Sequence, residues 1–273
     1  MPDSFESKIY SKTCVQIPKR NYLLLTIPNM IRVARHGEKE MFRETFGNYL
    51  YTNKHYELIR QYLLQTNVYK KRKPFDRIDE FLNPNIYHQT LINEYLLSPL
   101  HRNNRKYFIY HNRRVNSHIM ELSFKPRVQN TQLVKGKAWI DTRTGRIIEY
   151  TFMGAYDMLL FEVDIKHGTE GYATILPKTC EAKFKFFYLG NKLLINSFSE
   201  FGLQEDIDEQ LENNSDMTLM ERVRPTPLSD VEYRMIYPSL AAQQEKAPQA
   251  VAEMQQQVAA DTTVSPQIGR AHV

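Results

Sequence analysis

The sequence predicts an α+β domain: a large, curved antiparallel β-sheet, half-barrel-like, with a helical hairpin, Asp76 to Leu97, packed against its open side. Three observations carry this prediction. Seventeen Tyr and fourteen Phe stand against one Trp and ten Gly in 273 residues, and aromatic side chains fit pleated, half-buried surfaces. From Lys106 to Phe201 apolar and polar residues alternate with period two between recognisable turns. Only between Asp76 and Leu97 does a convincing helical hairpin appear. With 42% hydrophobic residues the chain can bury a core, and the aromatic usage disfavours an all-helical fold.

In chain order, Phe5 to Ile17 and Tyr22 to Val33 read as two strands, joined through Pro18-Lys19-Arg20-Asn21 as a plausible hairpin. Met41 to Val68 is ambiguous: Tyr49-Leu50-Tyr51 favours strand, while Tyr56, Ile59, Arg60, Leu63 and Leu64 recur at helical spacing. One strand followed by a short helix is expected. Lys70-Lys71-Arg72-Lys73-Pro74 is the densest positive run and reads as a loop. Ile78, Phe81 and Leu82 share a face of a first helix. Asn83-Pro84 interrupts it, and Ile86, Leu91, Tyr95 and Leu96 continue the pattern to Ser98-Pro99.

Turns at Asn112-Arg113-Arg114, Asp141 to Gly145, His167 to Gly171 and Gly190-Asn191 then separate eight strands. These are Tyr107 to Tyr110, His118 to Phe124, Lys137 to Ile140, Ile147 to Phe152, Leu159 to Ile165, Tyr172 to Ile175, Ala182 to Leu189 and Leu193 to Phe198. The sheet domain therefore spans 1–203. An acidic segment and an extended connector through Arg222 to Asp230, ending in a helix start, span 204–239. Residues 240–267 are an Ala/Gln-rich tail with little to bury. The last six residues, Ile268 to Val273, resemble the translation of a common sequencing adapter and are set aside.

Charge is uneven: 24 of the 36 Lys and Arg but only 11 of the 31 Asp and Glu lie at or before Lys137, so a +13 stretch is followed by one of −8. A basic face can attract phosphates or anionic headgroups, and a dispersed solvated face explains the same count. Neither a leader sequence nor a run of about 18 apolar residues is visible, so the chain as given is expected to be soluble. Cys14 and Cys180 have no metal or redox spacing; one disulfide or two buried thiols are both compatible with them.

Catalytic patterns are sought without success. There is no GxSxG elbow around Cys180 or any Ser, no HExxH and no phosphate-cradling glycine loop. His101, His111 and His118 cluster loosely but read as surface or capping residues, so neither a metal site nor a cofactor is expected. Glu162 and Asp164 share a strand face and would be an acid/base pair only if buried near a pocket. Lys106 to Tyr110 and Lys183 to Tyr188 interleave aromatics with cations, as stacking platforms do, but without an RNA-binding signature. No enzyme and no nucleic-acid partner is expected.

Leu23-Leu24-Leu25-Thr26-Ile27-Pro28, Leu97-Ser98-Pro99-Leu100, Leu122-Ser123-Phe124-Lys125-Pro126, Gly136-Lys137-Ala138-Trp139-Ile140-Asp141 and Arg224-Pro225-Thr226-Pro227-Leu228 occur in a distinctive order. Over Phe5 to Tyr237 the chain resembles an uncharacterised family of outer-membrane-associated proteins from Bacteroidetes-type envelopes. Such proteins carry a signal peptide, a carboxypeptidase-regulatory-like sandwich, a middle region like this chain and a C-terminal barrel. The hairpins around Gly136 to Asp141 also resemble the half-barrel sheet of periplasmic lipoprotein carriers, whose helices close over an apolar concave face.

The resemblance implies a non-catalytic module on the periplasmic side of the outer membrane, truncated at both ends, whose membrane association comes only through the missing flanks. It implies a binding or assembly role with lipid, lipoprotein or envelope-protein partners. Phe152, Leu160, Phe186 and Phe198 are the candidate apolar lining for a lipid or lipidated partner, and ordinary core packing accounts for the same four. The alternative is a structural spacer or protein-interaction platform without a small ligand.

Overall fold

Alternating side chains serve the two faces of a sheet, and the chain spends most of its ordered length doing so. The computed structural model describes residues 4–26, 39–52, 55–65, 76–82, 86–92, 95–156, 158–168, 176–203 and 216–237. The chain divides into two units, 1–227 and 228–273. The first contains β1 (Ser4–Lys19), β2 (Glu40–Thr52), β3 (His55–Gln65), β4 (Thr90–Ile92), β5 (Leu96–Leu97), β6 (Phe108–Arg114), β7 (Ile119–Pro126), β8 (Lys135–Asp141), β9 (Arg146–Tyr156), β10 (Leu159–Lys166), β11 (Thr179–Tyr188) and β12 (Asn191–Phe201). Among the described residues it also contains the helices α1 (Asp76–Asp79) and α2 (Asp216–Val223).

Ten strands make one antiparallel sheet in the order β3-β2-β1-β12-β11-β10-β9-β8-β7-β6, and β4 and β5 form a separate pair. The large, unclosed sheet expected from the sequence is therefore the architecture, with β3 and β6 as its edges. β1 lies inside the sheet, paired from Ser4 to Gln16 with β2 on one side and from Ile9 to Lys19 with β12 on the other.

One face is covered by a small, partly helical segment. Met41, Val15, Ile195, Phe184 and Phe161 form a continuous cross-strand row. Ile78, Phe81, Leu82, Ile86, Leu91, Ile92 and Leu96 pack into the same core. The Phe81 ring lies 5.1 Å from Phe161 and 4.9 Å, edge-on, from Phe184. On the opposite face, α2 lays Met220 and Val223 over Tyr10 and Phe46. Residues 41–47 of β2 are consequently buried on both sides. Away from α2 that second face is wet, and β11 alternates buried and exposed from Cys180 to Phe187.

Several local expectations are corrected. Tyr22–Thr26 is a 3-10 turn, not a strand. Both neighbours of β1 are already in place, and the Asn21 side chain accepts from Leu23 N at 3.0 Å and donates to Leu189 O at 2.8 Å, which curls the segment. The remainder of that expected strand lies outside the described residues. Where one strand and a short helix were expected, β2 and β3 form a hairpin. A bulge opposite Phe46/Gly47 shifts the phase of β3 around Gln61, so its apolar positions imitate helical spacing.

The 76–97 segment packs on the sheet as expected, but only its first half is helical: α1 runs into a 3-10 turn, Glu80–Leu82. The second helix is replaced by β4 and β5. Buried Ser98 donates to Ile86 O at 2.7 Å, and Asn104 donates to Gln89 O at 2.7 Å and Ser98 O at 2.9 Å, satisfying backbone that a helix would have satisfied itself. The expected turn at Asn112-Arg113-Arg114 belongs to β6, with the reversal following it. The expected Lys70 to Pro74 loop and Tyr172 to Ile175 strand lie outside the described residues.

The second unit holds α3 (Asp230–Ile236), which starts where the connector was expected to become helical. Ser229 caps it with a capping box: Glu232 N donates to Ser229 Oγ at 3.4 Å and Ser229 N to Glu232 Oε2 at 2.9 Å.

Candidate functional site

The candidate site is the covered face of the sheet and the segment that covers it. Successive strand residues point to opposite faces, and β2 places opposite charges side by side: Arg43 on the covered face and Glu44 behind it. Arg43, 5% exposed, forms an ion pair with Asp79 of α1. Glu44, fully buried, accepts a bidentate pair of bonds from Arg224, with Nε at 2.7 Å and Nη2 at 2.8 Å, and a further bond from the Tyr10 hydroxyl. Burial first, and then the neighbouring Glu44 carboxylate, push the Tyr10 phenol far above its ordinary range. The hydrogen bond to Glu44 holds the Arg224 guanidinium charged. One strand thus fastens the cover to one face and the segment after α2 to the other.

Between the apolar parts of the covered face runs a buried hydroxyl strip. Ser11 and Thr45 hydroxyls meet at 2.6 Å and Ser197 donates to Thr13 at 3.0 Å. Ser199 donates to Leu82 O at 3.0 Å and Cys180 Sγ to Phe81 O at 3.5 Å, so sheet side chains hold carbonyls of the cover. Further along, the core is aromatic: Tyr150 stacks on Phe124 at 5.6 Å and lies 5.5 Å from Phe152. The Tyr150 hydroxyl is completely buried and has no hydrogen-bond partner. Burial, and then Tyr110, raise its pKa well above the ordinary phenol value.

The four residues singled out from sequence do not share one surface. Phe152 is fully buried in the main core, and Phe186, 4% exposed, belongs to a smaller cluster on the same face with Ile17, Leu24 and Leu193. Leu160 points the other way and is 52% exposed, and Phe198 packs on that second face with the Tyr10, Phe46 and Met220 cluster. The two-residue period that pairs Leu160 with Lys185 and Phe186 with Leu159 decides this split.

Glu162 stands exposed beside Lys183 and Met153, and half-buried Asp164 beside Glu181 and Thr151; neither lies in the covered core. His111 and His118 are exposed and His101 is half-buried, and no cluster of metal-ligating side chains occurs among the described residues. No disulfide joins Cys14 to Cys180: both are buried, on β1 and β11, with β12 between them. No helix among the described residues is long and apolar enough to cross a membrane.

The Arg43–Asp79 and Glu44–Arg224 pairs and the Tyr150 hydroxyl were not anticipated. The only sequence signal for the first two is a pair of opposite charges, Arg43-Glu44, inside an aromatic strand.

Fold and site together define an open antiparallel-sheet domain that fills its covered face with a segment of its own chain. It belongs to the family of unknown function DUF5686, whose model matches residues 1–201. By structure it is similar to a LolA-superfamily protein from Nitrosomonas europaea, at 10% identity and a TM-score of 0.25 over 78% of this chain and 92% of that one. It is also similar to an outer membrane lipoprotein-sorting protein domain from Vibrio parahaemolyticus, at 12% identity and a TM-score of 0.24 over 76% of this chain and 89% of that one. No curated protein matches the chain.

Proposed function

We propose that this chain is a non-catalytic binding or assembly module on the periplasmic side of the outer membrane, and that its covered face holds a lipid or a lipidated partner. The orphaned Tyr150 hydroxyl carries the reading. A buried hydroxyl without a partner costs about 1–3 kcal/mol, and this one stays unmet beside the Phe124 and Phe152 rings, in the same core that the cover residues join. An acyl ester or carboxyl would accept that hydrogen bond while its chain took the place of Ile78, Phe81 and Leu82, because apolar contact is non-directional. The Arg43–Asp79 pair would then act as the hinge latch of the cover.

A fluorescent fatty-acid probe titrated into the folded chain is expected to bind. Tyr150→Phe is expected to weaken that binding several-fold while leaving the fold as stable or about 1 kcal/mol more so, since it removes the unmet hydroxyl. Absence of probe binding, or equal affinity in the variant, defeats the proposal. A second reading, a protein-interaction platform without a small ligand, is favoured by the open edge of β6, whose residues 111–114 are exposed and whose outer backbone groups suit strand addition. Recovery of one stoichiometric envelope protein with lipid-free chain would support it.

A further inference from the structure

At the end of the sheet where β1 finishes and β10 and β12 begin, the surface reverses its usual chemistry. Tyr22 is 77% exposed, and Leu25, Met158, Leu160, Phe187 and Leu189 are each between 40% and 57% exposed. Met158 and Leu189 lie at two hairpin turns, Leu160 and Phe187 on the strand ends beside them, and Tyr22 and Leu25 on the Tyr22–Thr26 turn. That last turn is tied to the β11–β12 hairpin: Asn21 N donates to Asn191 Oδ1 at 2.7 Å, and the Thr26 and Tyr188 hydroxyls meet at 3.1 Å. The apolar side chains are therefore presented by a braced end of the sheet.

Leu189 supplies an independent observation. It and Gly190 form the two-residue loop between β11 and β12 with φ of 44° and 82°, the pattern that Asn-Gly or Gly-Gly satisfies without strain. Leucine in this left-handed region is sterically penalised, and its side chain is 57% exposed, so core packing does not repay the strain. Around these residues stand exposed Lys19, Lys39 and Lys185, with Lys192 Nζ 5.9 Å from the Phe187 ring; Leu160 is directly opposite Lys185 in register. Two acids stand near them among the described residues: Glu40, and Glu162, two residues along the Leu160 face and opposite Lys183.

We infer that this end of the sheet is a peripheral membrane contact. Its Leu, Met, Phe and Tyr side chains enter the headgroup boundary of a lipid surface while the lysines engage anionic headgroups. Apolar residues on turns and the strand ends beside them, ringed by long cationic side chains, fit a fluid interface. This contact uses neither Tyr150 nor the cover, so it stands or falls separately from ligand binding on the covered face.

Flotation of the full 273-residue chain with vesicles of phosphatidylcholine alone, and of phosphatidylcholine with phosphatidylglycerol, tests it. The chain is expected to float with the anionic vesicles and to be released by salt. A Phe187→Ser, Leu189→Asn double variant is expected to partition at least roughly tenfold more weakly. Leu189→Asn alone is expected to melt at the same or a higher temperature, because Asn tolerates the turn, so lost flotation cannot be ascribed to misfolding. Failure of the folded chain to float with anionic vesicles overturns the inference, as does unchanged flotation of the double variant. Dimerisation through this end without flotation would assign it to a second copy and overturn it equally.

Discussion

His167 carries a pH dependence that follows from its surroundings. Burial, and secondarily the Arg146 charge, lower its pKa to about 4, and its Nδ1 is buried without a partner. An unfolded chain takes up that proton near pH 6.5, whereas the folded chain resists until near pH 4. The unfolded state therefore binds more protons in this window, and stability falls as pH falls through it, by up to about 3 kcal/mol. Urea midpoints at pH 7 and pH 4 should show this loss in the wild type and a smaller one in His167→Gln; equal losses would remove His167 from the account. Nothing in the sequence around His167 signals this. It was read as a turn residue, and only the packing that buries its ring changes its chemistry.

β8 shows how an element depends on one position. Gly136 opens the Gly136 to Asp141 motif, and a Cβ there would collide with Thr151 O and lie 2.8 Å from Phe152 Cα and 2.9 Å from the Phe124 ring. The glycine lets β7 and β9 close on β8 with an aromatic ring laid across it. Gly136→Ala should cost about 2–4 kcal/mol through forced backbone shifts, measured as a lower urea midpoint; a loss below about 0.5 kcal/mol would show that the strands can part at little cost. The motif was legible as a strand, but the need for glycine in it was not. That need comes from residues on two neighbouring strands. β3 makes the complementary point: its bulge turned a strand's period into an apparent helical one, an ambiguity that only pairing with β2 resolves.

At the scale of the whole molecule, the sheet joins segments far apart in sequence. β1 pairs with β12, bringing Ile9 against Phe201 and Cys14 against Asn196. The basic first half and acidic second half of the chain are thereby interleaved, because β1, from the basic half, sits directly beside β12, from the acidic half. Such long-range pairing makes folding wait for distant segments, so refolding from urea is expected on a millisecond-to-second scale. Stopped-flow Trp139 fluorescence would measure it, and a microsecond process would contradict the topology.

The sequence by itself determined most of the strands from β6 to β12, the turns at Asp141 to Gly145 and at Gly190-Asn191, and the antiparallel architecture, because there one face meets water and period two is written directly into the residues. It also determined the capped start of α3, whose signals are local. Tertiary structure alone decided the fate of β2 and β3, the reshaping of 76–97 into a helical turn and a β pair, and the two ion pairs that fasten chain to both faces of β2. Residues 41–47 are buried on both sides, which erases the alternation that distinguishes strand from helix. What a residue becomes at such places depends on neighbours as distant in sequence as Arg224 is from Glu44.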